Sequence, residues 1–195
     1  MYVRDAKNRD EVWLLDRIEE MGLDDVAFRS RDYVIAVDEE TNERAGFGRV
    51  RVHKEDDGEV CELTGVGVLV AWRGQGVGAH VVERLVEMAG DDGFETVYSL
   101  TDQPGYLAQF GFEPVESDAL PAKLRERLAT KRETVQPDAI ATAVAVAAFE
   151  MPPRLREAFK RAEPREPEEE ASPPESAEDF GIDPESATYK YDTGR

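Results

Sequence analysis

Apolar and polar positions along this chain follow two periods in turn. Residues 2–4 read as a short strand. Asn8 with Glu11 makes a helix start, and Val12, Leu15, Ile18 and Met21 follow at helical spacing up to Gly22. Residues 33–37 read as a strand, 46–53 as a second and 60–70 as a third, longer one, joined by polar turns at 38–43 and 55–58. One helix followed by three strands on short turns predicts an antiparallel meander. The pattern then switches. Residues 76–89 are helical, with Val77, Val81, Leu85 and Met88 on one face and Gly90 closing the helix. A strand at 95–100, a short helix at 104–110 and a strand at 112–115 follow. Residues 121–131 read as an amphipathic helix, 139–149 as strand or helix, and 153–161 as a final helix. The expected class is α+β. Its mixed central sheet is an antiparallel meander passing into βαβ, flanked by helices, with the switch at residues 70–76.

Composition narrows the partners. Of 195 residues, 43 are Asp or Glu and 24 are Lys or Arg, a formal net charge of −19. That excess argues against nucleic acid and anionic membranes, both of which require a cationic footprint. One cysteine excludes an internal disulfide framework and a multi-cysteine zinc site, and no His/Asp/Glu cluster has metal-ligand spacing, so no metal is expected. Residues 1–11 are charged and give no secretory signal, and the apolar run 139–149 is too short to span a bilayer. A cytoplasmic location is expected. Lysine is scarce, 6 against 18 arginines, on an acid-rich chain that salt would screen, which points to a halophilic cell. Residues 163–195 carry net −8 and five of the eleven prolines, leaving −11 for residues 1–162. The expected division is a domain over 1–162, with an extension from about 117, and a disordered acidic tail over 163–195. Tyr189 and Tyr191 in that tail could dock a protein partner.

The segment with the most chemistry is Val66-Gly-Val-Leu-Val-Ala-Trp-Arg-Gly-Gln-Gly-Val-Gly-Ala79, a strand running through a glycine-rich turn into a helix. Glycines let backbone approach a ligand, and the free N–H groups of a helix start attract anions. Two ligands compete for it. Gly74-Gln-Gly76-Val-Gly-Ala79 satisfies the dinucleotide pattern G-x-G-x-x-[GA], with Asp91 or Asp92 near the offset for a ribose contact. Against that reading, the turn follows a meander, and bulky Trp72 and Arg73 stand where a dinucleotide fold turns sharply. No Gly-Lys-Ser/Thr follows, so a nucleotide P-loop is excluded.

The second reading fits more of the chain. Arg73-Gly-Gln-Gly76-Val-Gly78 resembles the [QR]-x-x-G-x-[GA] pyrophosphate loop of the GNAT superfamily of N-acetyltransferases, and Tyr106-Leu-Ala-Gln-Phe-Gly-Phe112 resembles its aromatic-x-x-x-x-Gly-Phe signature. The element order over about residues 2–116 is similar to the family plan. The resemblance implies a GNAT-like fold and acetyl-CoA as cosubstrate, with transfer of the acetyl group to the primary amine of a small molecule by direct attack. It implies that the backbone of Arg73, Gly74, Gln75, Gly76, Val77 and Gly78 cradles the pyrophosphate. The strand carrying Val66, Val68 and Val70 would pair with the pantetheine arm, with Val66 N–H as donor to the thioester oxygen. Gly65 and Gly67 are consistent with a bulge or close backbone approach there. Glu62, eleven residues before Arg73, matches a family glutamate acting as base through water; strict alternation puts it on one face with Thr64, Val66 and Val68. The usual tyrosine acid falls at Leu107, which leaves Tyr106, one position earlier, as the alternative acid.

For the acceptor, Arg29, Arg31, Arg49 and Arg51 are candidates to line an anionic pocket. The stretch from Phe110 onward loosely resembles N-acetylglutamate-synthase-like and arsenic-resistance GNAT proteins, which suggests an amino acid or related amine. His80 reads as a surface histidine within reach of a phosphate, His53 has no evident partner, and Cys61 reads as a small buried hydrophobe. A homodimer is compatible with the chain. Two alternatives remain open: an acetyl-CoA-binding sensor or interaction module without turnover, and a dinucleotide-binding protein.

Overall fold

Seven strands form one sheet in the order β1-β2-β3-β4-β5-β7-β6 in the computed structural model, which describes residues 1–24, 26–56 and 58–165. The strands are β1 Tyr2–Asp5, β2 Tyr33–Val37, β3 Arg44–Glu55, β4 Gly58–Val68, β5 Thr96–Thr101, β6 Glu113–Val115 and β7 Ile140–Ala145. The helices are α1 Glu11–Glu20, α2 Val77–Asp91, α3 Pro104–Ala108, α4 Ala122–Thr134 and α5 Pro153–Lys160. β1 to β4 form the antiparallel meander, β4 and β5 are parallel across α2, and β7 inserts antiparallel between β5 and β6. The α+β architecture read from the pattern is the one observed. The segment 139–149, left between strand and helix, is a strand followed by a single turn at Val146–Ala148.

Helices cover both faces of the sheet. On one face Val34, Val50, Cys61 and Leu63 pack with Val77, Val81 and Leu85 of α2, and with Leu107, Phe110 and Phe159. On the other, α1 closes over Tyr33, Ile35 and Phe47. Further along that face, Leu128 of α4 packs with Leu100 and Ala141. Burying this much apolar side chain from both sides is the dominant stabilising term. Cys61 is completely buried, and burial pushes its thiol up to about 12, so it behaves as the small hydrophobe expected.

The first helix departs from its sequence reading. Leu14 and Ile18 face the sheet, whereas Val12 is 71% exposed and Leu15 37%. Both stripes share Ile18. The edge of Trp13 against Phe47, centroids 5.7 Å apart, turns the Leu14 stripe inward. A single turn over Asn8–Asp10 leads directly into α1, and the side chain that fixes this start is that of Asp10 rather than Asn8. Its buried carboxylate accepts the Lys7 N–H at 2.9 Å and bonds from Arg4 at 2.7 Å and Arg44 at 2.9 Å. The Arg4 bond, above all, holds it well below the usual carboxylate range.

The C-terminal boundary also moves. Gln75 donates to the Glu163 carbonyl at 2.8 Å and accepts the Glu163 N–H at 3.1 Å, and Arg165 N–H bonds the Ala71 carbonyl at 2.9 Å. Residues 163–165 are therefore fastened to the domain. The expected tail, over 166–195 with Tyr189 and Tyr191, lies outside the described residues.

Candidate active site

The site begins where β4 leaves β5. Cys61, Glu62 and Leu63 pair with Val97, Tyr98 and Ser99, and from Thr64 to Val68 β4 pairs with β3 alone. The two parallel strands thus part beside the glycine turn. A bulge lies at the same level: Arg49 pairs Thr64 and Phe47 pairs Gly67, so Gly65 and Val66 together oppose Gly48. Gly65 takes φ +59°, a conformation costly for any residue with a Cβ. The bulge overturns strict alternation. Val66 and Val68 pack on the α2 face, while Glu62 and Thr64 look to the opposite face. Gly67 has another role: a Cβ there would meet Met21 Sδ at 2.7 Å and Phe47 at 2.8 Å, so its absence lets α1 close.

β4 ends at Val68. Val70, expected on the strand, lies instead in the single turn Val70–Trp72 and is 57% exposed. Arg73 folds its Nε–H back onto the Val68 carbonyl at 3.1 Å. Gly74 (φ +70°) and Gly76 (φ +77°) then reverse the chain into α2, and Gln75 is buried between them. His80 N–H is bonded to the Gly76 carbonyl at 3.1 Å, so the N–H groups of Val77, Gly78 and Ala79 have no preceding helical carbonyl to meet. Such free donors at the positive end of a helix of 15 residues suit a diphosphate.

Tyr106 and the turn meet at Gly78. A Cβ on Gly78 would stand 2.8 Å from the Tyr106 hydroxyl and 3.2 Å from Val68. Leu107, where the resemblance implies a tyrosine, is instead buried in the core. Tyr106 as a whole is 41% exposed, but its hydroxyl end lies against Gly78, and that partial burial pushes the phenol up to about 12. His80, expected on the surface, is half-buried. Its ring donates to the Gly76 carbonyl at 2.9 Å and stacks on Phe159 of α5, centroids 3.9 Å apart.

Glu62 is fully buried and richly partnered. Its oxygens accept from Arg127 Nε at 2.9 and 2.6 Å, and His53 Nε2 stands 2.7 Å from Oε2. His53, expected to be alone, therefore has a partner. Burial opposes the charge on Glu62, but His53 and Arg127 outweigh it and hold the carboxyl below its usual range. Arg127 extends to Asp24 at 2.6 Å, and Arg49, 1% exposed, donates to the Asp24 and Val26 carbonyls. Of the four arginines proposed for an anionic pocket, Arg49 and Arg51 belong to this cluster. Arg29 pairs with Asp32 and is exposed, and Arg31 is exposed.

Sequence reasoning missed Asp24, Arg127 and Lys131 at this cluster, and α5 against the turn. A signal existed: Arg127 and Lys131 stand four apart, beside Leu124 and Leu128, also four apart, so one helix face carries both a core stripe and two cations. Among the described residues no group of three or more His, Cys, Asp or Glu could hold a metal ion, and no helix is long and apolar enough to cross a membrane.

Two parallel strands parting beside a glycine turn is the arrangement that the resemblance to acetyltransferases implies. Residues 3–112 match the acetyltransferase (GNAT) family, and the chain belongs to that family. Among solved structures, it is similar to N-acetylglutamate synthase from Neisseria gonorrhoeae complexed with coenzyme A and N-acetyl-glutamate. The TM-score is 0.60 at 17% identity, covering 74% of this chain but 34% of the synthase. The chain thus spans about a third of that enzyme's length. It is also similar to Rv2747 from Mycobacterium tuberculosis, in complex with CoA and NLQ, with TM-score 0.60 and 19% identity over 74% of this chain and 99% of that one. A GNAT-family acetyltransferase from Staphylococcus aureus matches with TM-score 0.54 and 10% identity, covering 74% and 98%. At these identities the likeness concerns the fold.

Proposed function

We propose that this protein is an acetyl-CoA-dependent N-acetyltransferase acting on the primary amine of a small molecule in the cytoplasm of a halophilic cell. The observation that carries the reading is the parting of β4 from β5 directly beside the free N–H groups of Val77 to Ala79. The turn from Arg73 to Gly78 would hold the diphosphate, and the unpaired side of β4 from Thr64 to Val68 would receive the pantetheine arm. Val66 N–H, in the bulge, is the proposed donor to the thioester oxygen.

In the proposed reaction the amine nitrogen bonds to the thioester carbon as the C–S bond breaks. Glu62, with no exposure of its own, would receive the ammonium proton by relay through His53, whose Nε2 stands 2.7 Å from it and whose side chain is 10% exposed, and Tyr106 would protonate the departing thiolate. A phenol carries its proton at neutral pH, and a pKa pushed up to about 12 makes Tyr106 a weaker donor than an ordinary tyrosine, so the thiolate must be close to it for transfer.

Calorimetry with acetyl-CoA in molar KCl, followed by acetyl transfer to a broad amine panel, tests the reading. Saturable binding with turnover is expected; binding without turnover of any amine would favour a sensor, and binding of a nicotinamide cofactor alone would favour the dinucleotide alternative. Glu62→Gln and Tyr106→Phe should each lower kcat by about 100-fold, the order of magnitude of one general acid or base. Glu62→Gln should also change the pH profile. A Glu62→Gln variant with native rate and profile would leave Glu62 only a structural part.

The net charge of −19 supports the halophilic part of the proposal. Melting temperature should rise between dilute buffer and molar KCl as self-repulsion is screened. An unchanged or falling melting temperature would withdraw it.

A further inference from the structure

Arg51 is the unspent cation of this site. It stands directly opposite Glu62 in the β3–β4 ladder, with its side chain 21% exposed. Its Nη1 is buried and has no hydrogen-bond partner among the described residues, and its nearest carboxylate, Asp24, lies 3.9 Å away. Asp24 is already engaged by Arg127 at 2.6 Å and by the Val26 N–H at 2.8 Å. Glu62 is engaged by Arg127 and His53. Burial and the like charges of Arg127 and Arg49 push the Arg51 guanidinium down, although Glu62 and Asp24 oppose them.

Charge at the cluster does not balance. Arg49, Arg51, Arg127 and Lys131 face buried Glu62, half-buried Asp24 and, beside Lys131, the exposed Asp102, which leaves one positive charge in excess. The rest of the chain is strongly acidic, so this is a local exception and not a general feature of its surface. A mostly buried guanidinium without a carboxylate in hydrogen-bond reach is costly. A single carboxylate would supply both the missing charge and the planar two-oxygen partner that the arginine fork matches.

The position suits an acceptor. Arg51 and Glu62 lie on the sheet face away from α2 and the glycine turn, two residues along the strands from Thr64, where β4 leaves β5. Two residues of strand are about 7 Å, a gap that an arginine side chain and an amino acid span together. Resting on the transferase reading above, we infer that the acceptor amine carries its own carboxylate, as an α-amino acid does, and that Arg51 binds this carboxylate beside Arg127.

The test compares α-amino acids with their own α-carboxamides as acceptors, at saturating acetyl-CoA. In the native protein the acids should show much the lower KM. Arg51→Gln should raise KM for the acids by about 30-fold, the equivalent of one charge-assisted hydrogen-bonded contact, with little change in kcat. It should leave KM for the carboxamides unmoved, and Arg51→Lys should recover part of the loss. Equal KM values for acids and carboxamides in the native protein would overturn the inference while leaving the transferase reading intact, as would an Arg51→Gln variant that loses both series alike. Turnover of neither series, with acetyl-CoA bound, would withdraw the transferase reading itself and this inference with it.

Discussion

Replacing Gly76 by alanine should raise the Kd for acetyl-CoA by about 10- to 100-fold and loosen the C-terminal helix. Two causes add. Gly76 sits at φ +77°, and a residue with a Cβ there costs about 1–2 kcal/mol, roughly tenfold in an equilibrium. The added Cβ would also fall on the Leu155 carbonyl and within 3.2 Å of Phe159 N, both in α5. Backbone cannot yield as a flexible side chain would, so either the turn opens or α5 lifts. Gly74→Ala is the matching control. Gly74 has φ +70° but nothing within 4 Å of its Cβ position, so it carries the strain without the contact. Calorimetry on both variants separates the two terms. Equal affinities would show that α5 has no part in shaping the turn.

Arg127→Met should be the most destabilising change in the buried charge cluster. Arg127 is the main counter-charge of Glu62, which has no exposure to water. Removing one partner of a buried pair costs about 3–5 kcal/mol because the other charge is left uncompensated. For a domain of this size that lowers the melting temperature on the order of 10 °C. The loss should depend on pH. Glu62 is held below its usual range in the native protein, so its contribution is present above the ordinary carboxylate pKa and fades as pH falls through the folded value. Native protein and variant should therefore converge in stability towards acid pH. Replacing Glu62 by leucine as well should recover part of the lost stability, since the uncompensated Glu62 charge is then gone. Thermal unfolding of the single and double variants across pH 3–8 (an about five-unit span around the carboxylate range) checks both expectations. A double variant no better than Arg127→Met would assign the loss to packing.

Much of the glycine turn was readable from local pattern. Glycines at 74, 76 and 78 after a strand and before an apolar helical stripe have few structural solutions, and the turn is where they placed it. The bulge was legible only as a pair of glycines. Its effect, sending Val66 and Val68 to one face and Glu62 to the other, depends on the pairing of β4 with Gly48 across the ladder. Val70 was misplaced because an apolar run cannot mark where a strand gives way to a turn. Val12 and Leu15 were misassigned because helical spacing defines a stripe without saying which stripe meets a sheet.

The sequence by itself determined the class of fold, the glycine turn and its family, because these follow from periodicity and short-range spacing. Only the tertiary structure decided the buried charge cluster. Asp24, Arg51, Glu62 and Arg127 come from a loop, two strands and a helix, and chain separations such as the 65 residues between Glu62 and Arg127 leave no periodic trace. Burial then gives these charges their meaning. In water an arginine is an ordinary surface group; packed in this cluster with its nearest carboxylate, Asp24, beyond hydrogen-bond distance at 3.9 Å, it becomes a demand for an anion.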